Sequence, residues 1–464
     1  MRRQVVQLLL VVMFSGMGMG MGAVAKPFQH LDFSLHKLGD QEWQPTLLIV
    51  GGIQGDEPGG FNAASLLVTD YQVEYGNVWV VPNLNFKSII RRSRGIHGDM
   101  NRKFLQLDSA DPDYAAVQKI KSMILDPRVS MILNLHDGSG FYHPEYHDAL
   151  RNPERWGQSI IIDQASLQGS GIDVSLEQVA AQLSGRVNQR LNNPRHKFHV
   201  KNTYTNAGNP EMEKTLTYFA ARHLKPAFGV EASKSFLTHE RAYYHLQVIE
   251  AAMEHLGIRY QRRLELNKPY LKERIDNNVQ LSFFENKIFL DMQDARKNIR
   301  YVPLKKNSPL YVNSNNPLVA IIRDRGHYQV RYGNRHVSRL SPEYFDYDNS
   351  IDGIDILVDG RQRFVPFGRH FRVAEYFRVN KLDNYRVNVI GYYGEAGRDE
   401  AGELIRYGDI SQQFSIDKDA KRFRVEVYTG NRYCGMVIAD FRDKQLVSED
   451  MQTGLRVKHS DSNI

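Results

Sequence analysis

Residues 47–58 read Leu47-Leu48-Ile49-Val50-Gly51-Gly52-Ile53-Gln54-Gly55-Asp56-Glu57-Pro58. The leading apolar run is typical of a buried strand, and the glycines after it allow a tight turn. Pro58 is suited to the first turn of a helix. The segment therefore predicts a strand, a turn and a helix in succession. It also places Gln54 and Glu57 on the turn, where both side chains can face one point.

A second apolar run, Met131 to Leu135, ends directly before His136. This places an imidazole at the carboxyl end of another predicted strand, and ligand sites in open α/β sheets gather at that edge. A catalytic zinc takes about three protein ligands and keeps one position open, and imidazole and carboxylate are usual donors. Taken singly, Gln54 and Glu57 are typical of solvated turn residues, and His136 of a hydrogen-bonded histidine. Together they are candidates for a metal site.

The region from Pro27 to Gln261 alternates between strand-like and helical segments, which predicts an α/β domain. Strands are predicted at Thr46 to Val50, Val78 to Val81, Met131 to Leu135 and Ala227 to Val230. Helices are predicted where apolar residues recur every three or four positions, at Pro58 to Thr69, Tyr114 to Ile124, Leu176 to Leu191 and His239 to His255.

After Arg262 the pattern changes to short runs in which apolar and polar residues alternate, so the second half is predicted to be all-β. These runs are Tyr328 to Tyr332, Phe371 to Phe377, Tyr385 to Tyr392 and Phe423 to Tyr428. A chain of 464 residues exceeds the usual size of a single core, so we expect several domains. They are an α/β domain over residues 26–262, a small barrel-like β domain over 263–343 and an immunoglobulin-like β-sandwich over 344–464, with a break near Glu343.

The N-terminus has the pattern of a secretory signal peptide over residues 1–25. Arg2 and Arg3 precede an apolar run, and the small residues Ala23 and Ala25 favour cleavage before Lys26. The apolar run is too short for a permanent membrane anchor, although an uncleaved anchor is the alternative interpretation. We therefore expect a mature protein in the periplasm, without a membrane anchor after cleavage.

Composition limits the residues that could bind a metal and indicates the charge of the partner. The single cysteine, Cys434, cannot form an internal disulfide and is predicted to be buried, so any metal must use histidine, glutamine and carboxylates. A net charge of +7 in scattered basic residues favours an anionic partner such as a cell-wall polymer. The sequence has no concentrated basic stretch, so we expect no nucleic-acid partner.

Gln54, Glu57 and His136 match the frame of the metallocarboxypeptidases, which carry His-x-x-Glu after one strand and a later histidine after another. Here glutamine replaces the first histidine. In this the chain resembles the murein DL-carboxypeptidases that determine helical cell shape, which use glutamine at that position. The resemblance extends over Gly51 to Asn62, Asn83 to Phe104, Leu133 to Gly140 and Phe228 to Ala232. It implies a mixed sheet flanked by helices, as in zinc carboxypeptidases, with one Zn²⁺ per chain held by these three side chains.

The same resemblance implies a site for the substrate's terminal carboxylate. The family pairs an Asn-Arg dipeptide with an upstream arginine, which here correspond to Asn101, Arg102 and Arg94. A guanidinium binds a carboxylate through two parallel hydrogen bonds and stays charged at every relevant pH, which suits this role. Arg91 and Arg92 are alternatives to Arg94, and a solvated basic loop is the plainer interpretation of the cluster.

Glu231 follows the apolar stretch Phe228 to Val230, in the context of the family's catalytic glutamate. The resemblance implies that Glu231 is the general base that takes a proton from water and returns it to the leaving amine. Without the resemblance, Glu231 would be interpreted as a paired carboxylate at a sheet edge.

A competing pattern lies just after His136. His143 and His147 are four residues apart, a spacing that forms a metal grip on one helical turn. Pro144 disfavours that helix, so we interpret Tyr142 to His147 as a substrate-facing loop, with Trp156 as an aromatic wall.

The implied function is a zinc carboxypeptidase that trims peptidoglycan tripeptide stems to dipeptides. It would release terminal meso-diaminopimelate and so affect cell shape, and the β domains could bind cell-shape protein partners. Two alternatives remain: a related deacylase or amidohydrolase, and a non-catalytic wall-binding protein in which Gln54 marks a decayed metal site. The predicted export and the Asn101-Arg102 pair argue against the first, and Glu231 with its arginines argues against the second.

Overall fold

The structure, a computed structural model, describes residues 31–39, 41–42, 44–169, 171–394 and 399–442. The predicted signal peptide lies outside these ranges. In chain order, the elements of the N-terminal part are β1 (His36–Leu38), β2 (Thr46–Val50), α1 (Pro58–Asp70), β3 (Tyr71–Tyr75), β4 (Asn77–Val81), α2 (Phe86–Arg91), α3 (Tyr114–Leu125), β5 (Val129–Gly138), β6 (Phe141–Tyr142), β7 (Arg151–Asn152), β8 (Ser159–Ile162), β9 (Ser166–Gly169), β10 (Ile172–Ser175), α4 (Leu176–Gln189), β11 (His199–Asn202), α5 (Leu216–Arg222), β12 (Ala227–Ser233), α6 (Thr238–His255) and β13 (Arg259–Arg262).

A mixed seven-stranded sheet organises this part, in the order β1-β4-β2-β5-β12-β8-β11. Successive residues of a strand face opposite sides of a sheet, and here both sides are covered. Leu47 and Ile49 of β2 pack in the same core cluster as α1, α4 and α6. Leu48 and Val50 pack in the cluster that contains α3 and α5. Burial on both faces explains why β2 and β4 are apolar along their lengths. The predicted α/β fold with a helix-flanked mixed sheet is confirmed.

Strand register brings the candidate site to one edge of this sheet. β2 and β5 are parallel, and so are β5 and β12, so their carboxyl ends lie side by side. His136 of β5 is the direct partner of Glu231 of β12. Polar side chains that follow these strands are therefore neighbours in space.

The remainder of the described chain is β-rich, as predicted. In chain order its elements are α7 (Lys268–Asn277), β14 (Gln280–Phe283), β15 (Ile288–Asp291), β16 (Asn298–Lys305), β17 (Val312–Ser314), β18 (Val319–Asp324), β19 (His327–Tyr332), β20 (Arg335–Tyr347), β21 (Gly353–Val358), β22 (Arg361–Pro366), β23 (His370–Arg372), β24 (Tyr376–Val379), β25 (Arg386–Val389), β26 (Ile405–Arg406), β27 (Arg422–Thr429) and β28 (Arg432–Asp440).

Helix α7 departs from the all-β prediction for the second half. Asn267 caps the helix by accepting a hydrogen bond from the Tyr270 N–H at 2.8 Å. Leu271 and Ile275, one helical turn apart, are its buried residues. Two apolar positions in an otherwise polar segment make a weak periodic signal, which is why the sequence pattern did not reveal the helix.

The break expected near Glu343 falls inside a continuous strand. β20 pairs with β19 and β16 along most of its length, and Asp346 and Tyr347 at its end pair with β28. The predicted run from Phe371 to Phe377 is also divided, because β23 pairs with β28 whereas β24 pairs with β21. Cys434 is buried, as predicted. Within the described ranges, every helix is too short or too polar to cross a membrane.

Candidate active site

The turn after β2 is held tightly against α2. Gly52 has a left-handed backbone with φ +71°, and a Cβ on Gly55 would lie 2.1 Å from the backbone carbonyl carbon of Ser88. These contacts explain the glycine spacing, since a side chain at Gly55 would displace the turn. Gln54 and Glu57, on either side of this contact, are both buried.

Both side chains converge on His136. Its Nδ1 lies 3.1 Å from Gln54 Oε1 and 2.9 Å from Glu57 Oε2. Zinc bonds of 2.0–2.2 Å in a tetrahedral arrangement separate the ligand atoms by about 3.3 Å. The donor set and its spacing therefore fit a divalent metal, and Gln54, Glu57 and His136 are the side chains that would hold it.

Asp99 fixes the orientation of Gln54. Gln54 Nε2 donates to both carboxylate oxygens of Asp99, at 2.8 and 2.9 Å, which turns Oε1 towards His136. Burial alone would raise the pKa of Asp99. The hydrogen bond from Gln54 and the charge of Arg94 outweigh burial, so the pKa of Asp99 is lowered. No local pattern indicates this role for Asp99, because it lies 45 residues from Gln54 along the chain.

Glu231 lies beside His136, in an environment that disfavours a negative charge on its carboxyl group. Burial raises the pKa of Glu231 to about 8. The charges of Glu57 and Asp137 also raise it, whereas the charge of His136 lowers it. Burial opposes the charge of His136, but the hydrogen bond with Glu57 and the surrounding carboxylates outweigh it and raise the pKa of His136. The site thus holds a carboxyl group that can exchange a proton near neutral pH.

The substrate-binding candidates surround this cluster. Asn101 Nδ2 lies 3.4 Å from His136 Nε2, and Asn101 Oδ1 accepts a hydrogen bond from the Leu216 N–H at 3.0 Å. Arg94 is half exposed, and its Nε donates to Asp99 at 2.9 Å. Arg102 is partly exposed, and it donates to the carbonyl oxygen of Asn101 at 3.1 Å. Both guanidinium groups therefore stay accessible to a ligand.

Arg91 and Arg92 face another part of the molecule. Arg92 Nε donates to the carbonyl oxygen of Asn334 at 2.9 Å. Burial, together with the charges of Arg92 and Arg91, lowers the pKa of Arg331 on β19, so both arginines lie near the β-rich part. Of the three upstream arginines, Arg94 is the one that the structure brings to Gln54's partner Asp99.

Comparison of the sequence with known protein families agrees with this geometry. A family model described as the catalytic domain of the carboxypeptidase controlling helical cell shape matches residues 13–276, more than half of the chain. A second, described as the C-terminal domain of metallo-carboxypeptidase, matches residues 347–442. The chain belongs to this carboxypeptidase family. The recognition from Gln54, Glu57 and His136 is thereby confirmed.

Three solved structures of the cell shape determinant protein Csd4 from Helicobacter pylori are similar to this carboxypeptidase. The apo structure is 37% identical, covers 89% of this chain and 100% of that chain, and has a TM-score of 0.79. The tripeptide-bound structure is 36% identical with the same coverage and TM-score. The mDAP-bound form, described as a D,L-carboxypeptidase, is 38% identical, covers 87% of this chain and 98% of that chain, and has a TM-score of 0.78. No curated protein sequence matches the chain.

A lysine missed by sequence analysis lies in the aromatic wall of the carboxypeptidase. Lys201 Nζ is 4.5 Å from the ring centres of both Tyr142 and Trp156. Burial lowers the pKa of Lys201, and the charge of Glu231 opposes this effect, which places the ammonium near the candidate base. Trp156 is therefore beside the site, and Lys201 gives its wall a positive charge. Lys201 stands in a polar strand with no local pattern that would have singled it out.

Two further groups support the ligands. Lys234 Nζ lies 3.3 Å from Glu57 Oε1. Asp137, next to His136, accepts hydrogen bonds from the Gly59 N–H at 2.8 Å and from Arg241 at 3.0 Å, which ties the end of β5 to the start of α1. Lys234 and Arg241 could not be nominated from the sequence, because their partners are far away along the chain.

The loop after β5 contains an unexpected contact. His143 and His147 meet without a helix, and their Nε2 atoms are 3.2 Å apart. His136 takes no part in this contact. Tyr142, the first residue of the loop from Tyr142 to His147, contacts Lys201, so the loop begins beside the candidate active site.

Proposed function

We propose that the chain is a periplasmic zinc D,L-carboxypeptidase that acts on peptidoglycan. It would remove terminal meso-diaminopimelate from tripeptide stems, leave dipeptides, and thereby affect cell shape. The observation that carries the proposal is the convergence of Gln54 and Glu57 on His136, with Glu231 as the direct strand partner of that histidine. The tripeptide-bound and mDAP-bound structures of Csd4, which covers most of this chain, support the substrate.

The ligand set supports one zinc ion per chain. Imidazole, carboxylate and amide oxygen suit zinc, and this set leaves a fourth position for a reactant. A zinc ion bound there would lower the pKa of a water molecule and polarise the scissile carbonyl. Asp99 and Lys234 would hold Gln54 and Glu57 in place, as outer hydrogen-bond partners of metal ligands do.

Glu231 would transfer the proton. It would accept a proton from the attacking water and donate it to the amine of the departing amino acid. A pKa of about 8 for Glu231 favours the protonated carboxyl form, and a nearby cation would favour the carboxylate. The same group can therefore serve as acceptor first and as donor afterwards.

Arg94 and Arg102, with Asn101, would bind the terminal carboxylate of the substrate. The partial exposure of both guanidinium groups leaves room for a bidentate carboxylate. Asp99 holds Arg94 from one side, and the backbone of Asn101 holds Arg102. The second carboxylate and the amine of diaminopimelate would then extend towards the wall formed by Tyr142 and Trp156.

Export and wider interactions complete the proposal. The signal pattern over residues 1–25 supports cleavage and a periplasmic location, and the β-rich part offers a surface for cell-shape protein partners.

The deciding experiment incubates purified peptidoglycan with the mature enzyme and follows muropeptides by mass spectrometry. We expect tripeptides to become dipeptides with an equal amount of free diaminopimelate, loss of this conversion with a chelator, and recovery with zinc. Release of only D-alanine, or full conversion with chelator present, would overturn the proposal.

A further inference from the structure

We propose that His143, His147 and His199 form a second transition-metal site, separate from the catalytic ligands. The Nε2 atoms of His143 and His147 are 3.2 Å apart. The rings of His143 and His199 have centroids 4.8 Å apart and meet edge to face. Three imidazoles from two chain segments therefore lie in contact beside the aromatic wall, with His143 touching both of the others.

Local structure explains why the first two histidines meet without a helix. β6 and β7 are paired, and the loop between them folds back on itself. The His147 N–H donates to the carbonyl oxygen of Arg151 at 2.9 Å, and the Leu150 N–H donates to Asp148 at 2.9 Å. His199 comes from β11, where its N–H donates to the carbonyl oxygen of Gln158 at 3.1 Å.

The geometry suits shared coordination. Two imidazole nitrogens bound to one tetrahedral ion at 2.0–2.1 Å lie about 3.3 Å apart, close to the separation of the His143 and His147 nitrogens. His143 Nδ1 is 3.1 Å from the carbonyl oxygen of Glu145. The Glu145 N–H also donates to this Nδ1 at 3.1 Å, so the metal-free His143 carries its proton on Nε2. Metal binding at Nε2 therefore requires the other tautomer, in which Nδ1 donates to the Glu145 carbonyl oxygen, as in histidine ligands with a hydrogen-bonded second nitrogen. The Glu145 carboxylate is a further donor, because one ligand atom each of His143, Glu145 and His147 lie within 4.8 Å of one another.

The donor chemistry selects the ligand class. Imidazole-rich sites favour zinc, copper and nickel over magnesium and calcium, which prefer all-oxygen ligands. The expected ligand is therefore a divalent ion such as Zn²⁺ or Ni²⁺.

A metal bound at this site would join two chain segments that form the aromatic wall. His143 follows Tyr142, and His199 lies on the same strand as Lys201, whose ammonium contacts both Tyr142 and Trp156. A metal bound by His143 and His199 would hold this wall in one arrangement. The site shares no residue with the Gln54, Glu57 and His136 set.

The test titrates the chelator-treated, full-length mature protein with Zn²⁺ by calorimetry and counts bound metal by mass spectrometry. His136→Ala separates the two sites, since the proposed site should remain. His143→Ala and His199→Ala should each weaken this remaining binding roughly tenfold or more. The exposed His223→Ala is the matched control and should leave it unchanged.

The conservative variant His143→Asn, with an unchanged melting temperature, should also lose the second zinc. Absence of a second zinc in the wild-type protein would show that the histidines form only a hydrogen-bonded pair. That result, or second-site binding unaffected by both His143→Ala and His199→Ala, overturns the proposal. Neither result depends on whether the catalytic site is assigned correctly.

Discussion

Gln54 and Asp99 are joined by a two-pronged hydrogen bond, in which Gln54 Nε2 reaches both carboxylate oxygens at 2.8 and 2.9 Å. An amide has one donor end and one acceptor end, so this contact fixes which end faces His136. Asp99 also pairs with Arg94 and accepts the Asn101 N–H at 2.9 Å. One carboxylate therefore positions both a candidate metal ligand and two candidate substrate-binding residues.

We predict that Asp99→Asn weakens zinc binding by roughly 10- to 100-fold, as is typical when a metal ligand loses its outer partner. An asparagine amide can turn its own donor towards Gln54, which would favour the reversed orientation of the Gln54 amide. Competition with a chromogenic chelator measures the affinity. Asp111→Asn is the matched control, because Asp111 pairs with Lys103 in the same region. Unchanged affinity in Asp99→Asn would contradict the positioning role.

We predict that Gln54→His binds zinc at least as tightly as the wild-type protein. An amide oxygen is a neutral, weaker donor for zinc than an imidazole nitrogen, and Asp99 can accept the second ring N–H of the new histidine. The same chelator competition measures the change. A clear loss of affinity would argue that position 54 does not contribute a ligand.

We predict that Glu231→Gln keeps zinc and substrate but loses roughly 10²-fold or more in turnover, since positioned proton transfer is worth about that factor. Turnover on purified tripeptide, with zinc content measured on the same sample, provides the comparison. Glu254→Gln, which alters a surface pair with Arg190, is the control. A near-normal turnover number would remove Glu231 from the mechanism.

How far the sequence predicts this molecule depends on how local each signal is. The apolar run Thr46 to Val50 and the start of α1 at Pro58 were predicted at the observed residues, because strand burial and helix initiation depend on neighbours in the chain. The continuation of β20 past Glu343 was not predicted, because a strand can change partners without any change in its own pattern. Only tertiary pairing reveals that Asp346 and Tyr347 pair with β28.

The same distinction applies to the site. Gln54, Glu57 and His136 could be nominated because each comes soon after a recognisable apolar run. The contact of Gln54 with Asp99 spans 45 residues, and the contacts of Lys201 depend on where β11 joins the sheet. Pro144 correctly predicted that His143 and His147 do not share a helix, but a turn still brings the two rings together.

We predict a pH-dependent stability from His370 in the β-rich part. Burial lowers the pKa of His370 to about 4, with Asp291 and Asp440 opposing this shift and Arg422 and Arg442 adding to it. Between pH 6.5 and 4 the unfolded chain binds more protons at this residue than the folded chain, so stability falls as the pH falls. The limit is about 3 kcal/mol, from about 1.4 kcal/mol per pH unit.

His370→Phe retains a ring beside Phe289 and removes the titrating group. Urea unfolding at pH 7 and pH 5 should show a smaller loss of stability in the variant than in the wild-type protein. Equal losses in both proteins would assign the pH dependence to other groups.

Arg94 and Arg92 allow a matched comparison within the arginine cluster. Arg94 contacts Asp99 near the candidate site, whereas Arg92 contacts the backbone of Asn334. We predict that Arg94→Ala lowers kcat/KM on the tripeptide and that Arg92→Ala leaves it close to the wild-type value. A loss confined to Arg92→Ala would transfer the upstream role to that residue.

The final prediction concerns how the enzyme selects a tripeptide. If Arg102 and Asn101 bind the free carboxylate of the terminal residue, Arg102→Ala should cost about 2 to 5 kcal/mol of transition-state binding, the range for a desolvated charge pair. Amidating the substrate's terminal carboxylate should cost the wild-type enzyme a similar amount. In the Arg102→Ala variant, amidation should cost much less, because the partner is already absent and the two changes are not additive.

A tetrapeptide should be a poor substrate, because its extra D-alanine moves the carboxylate away from the arginines. The measurement is kcat/KM for each enzyme and substrate pair, with zinc content held equal. Equal cleavage of tripeptide, tetrapeptide and amidated tripeptide would refute carboxylate recognition. Additive losses in the variant would instead show that Arg102 acts on catalysis without contacting that carboxylate.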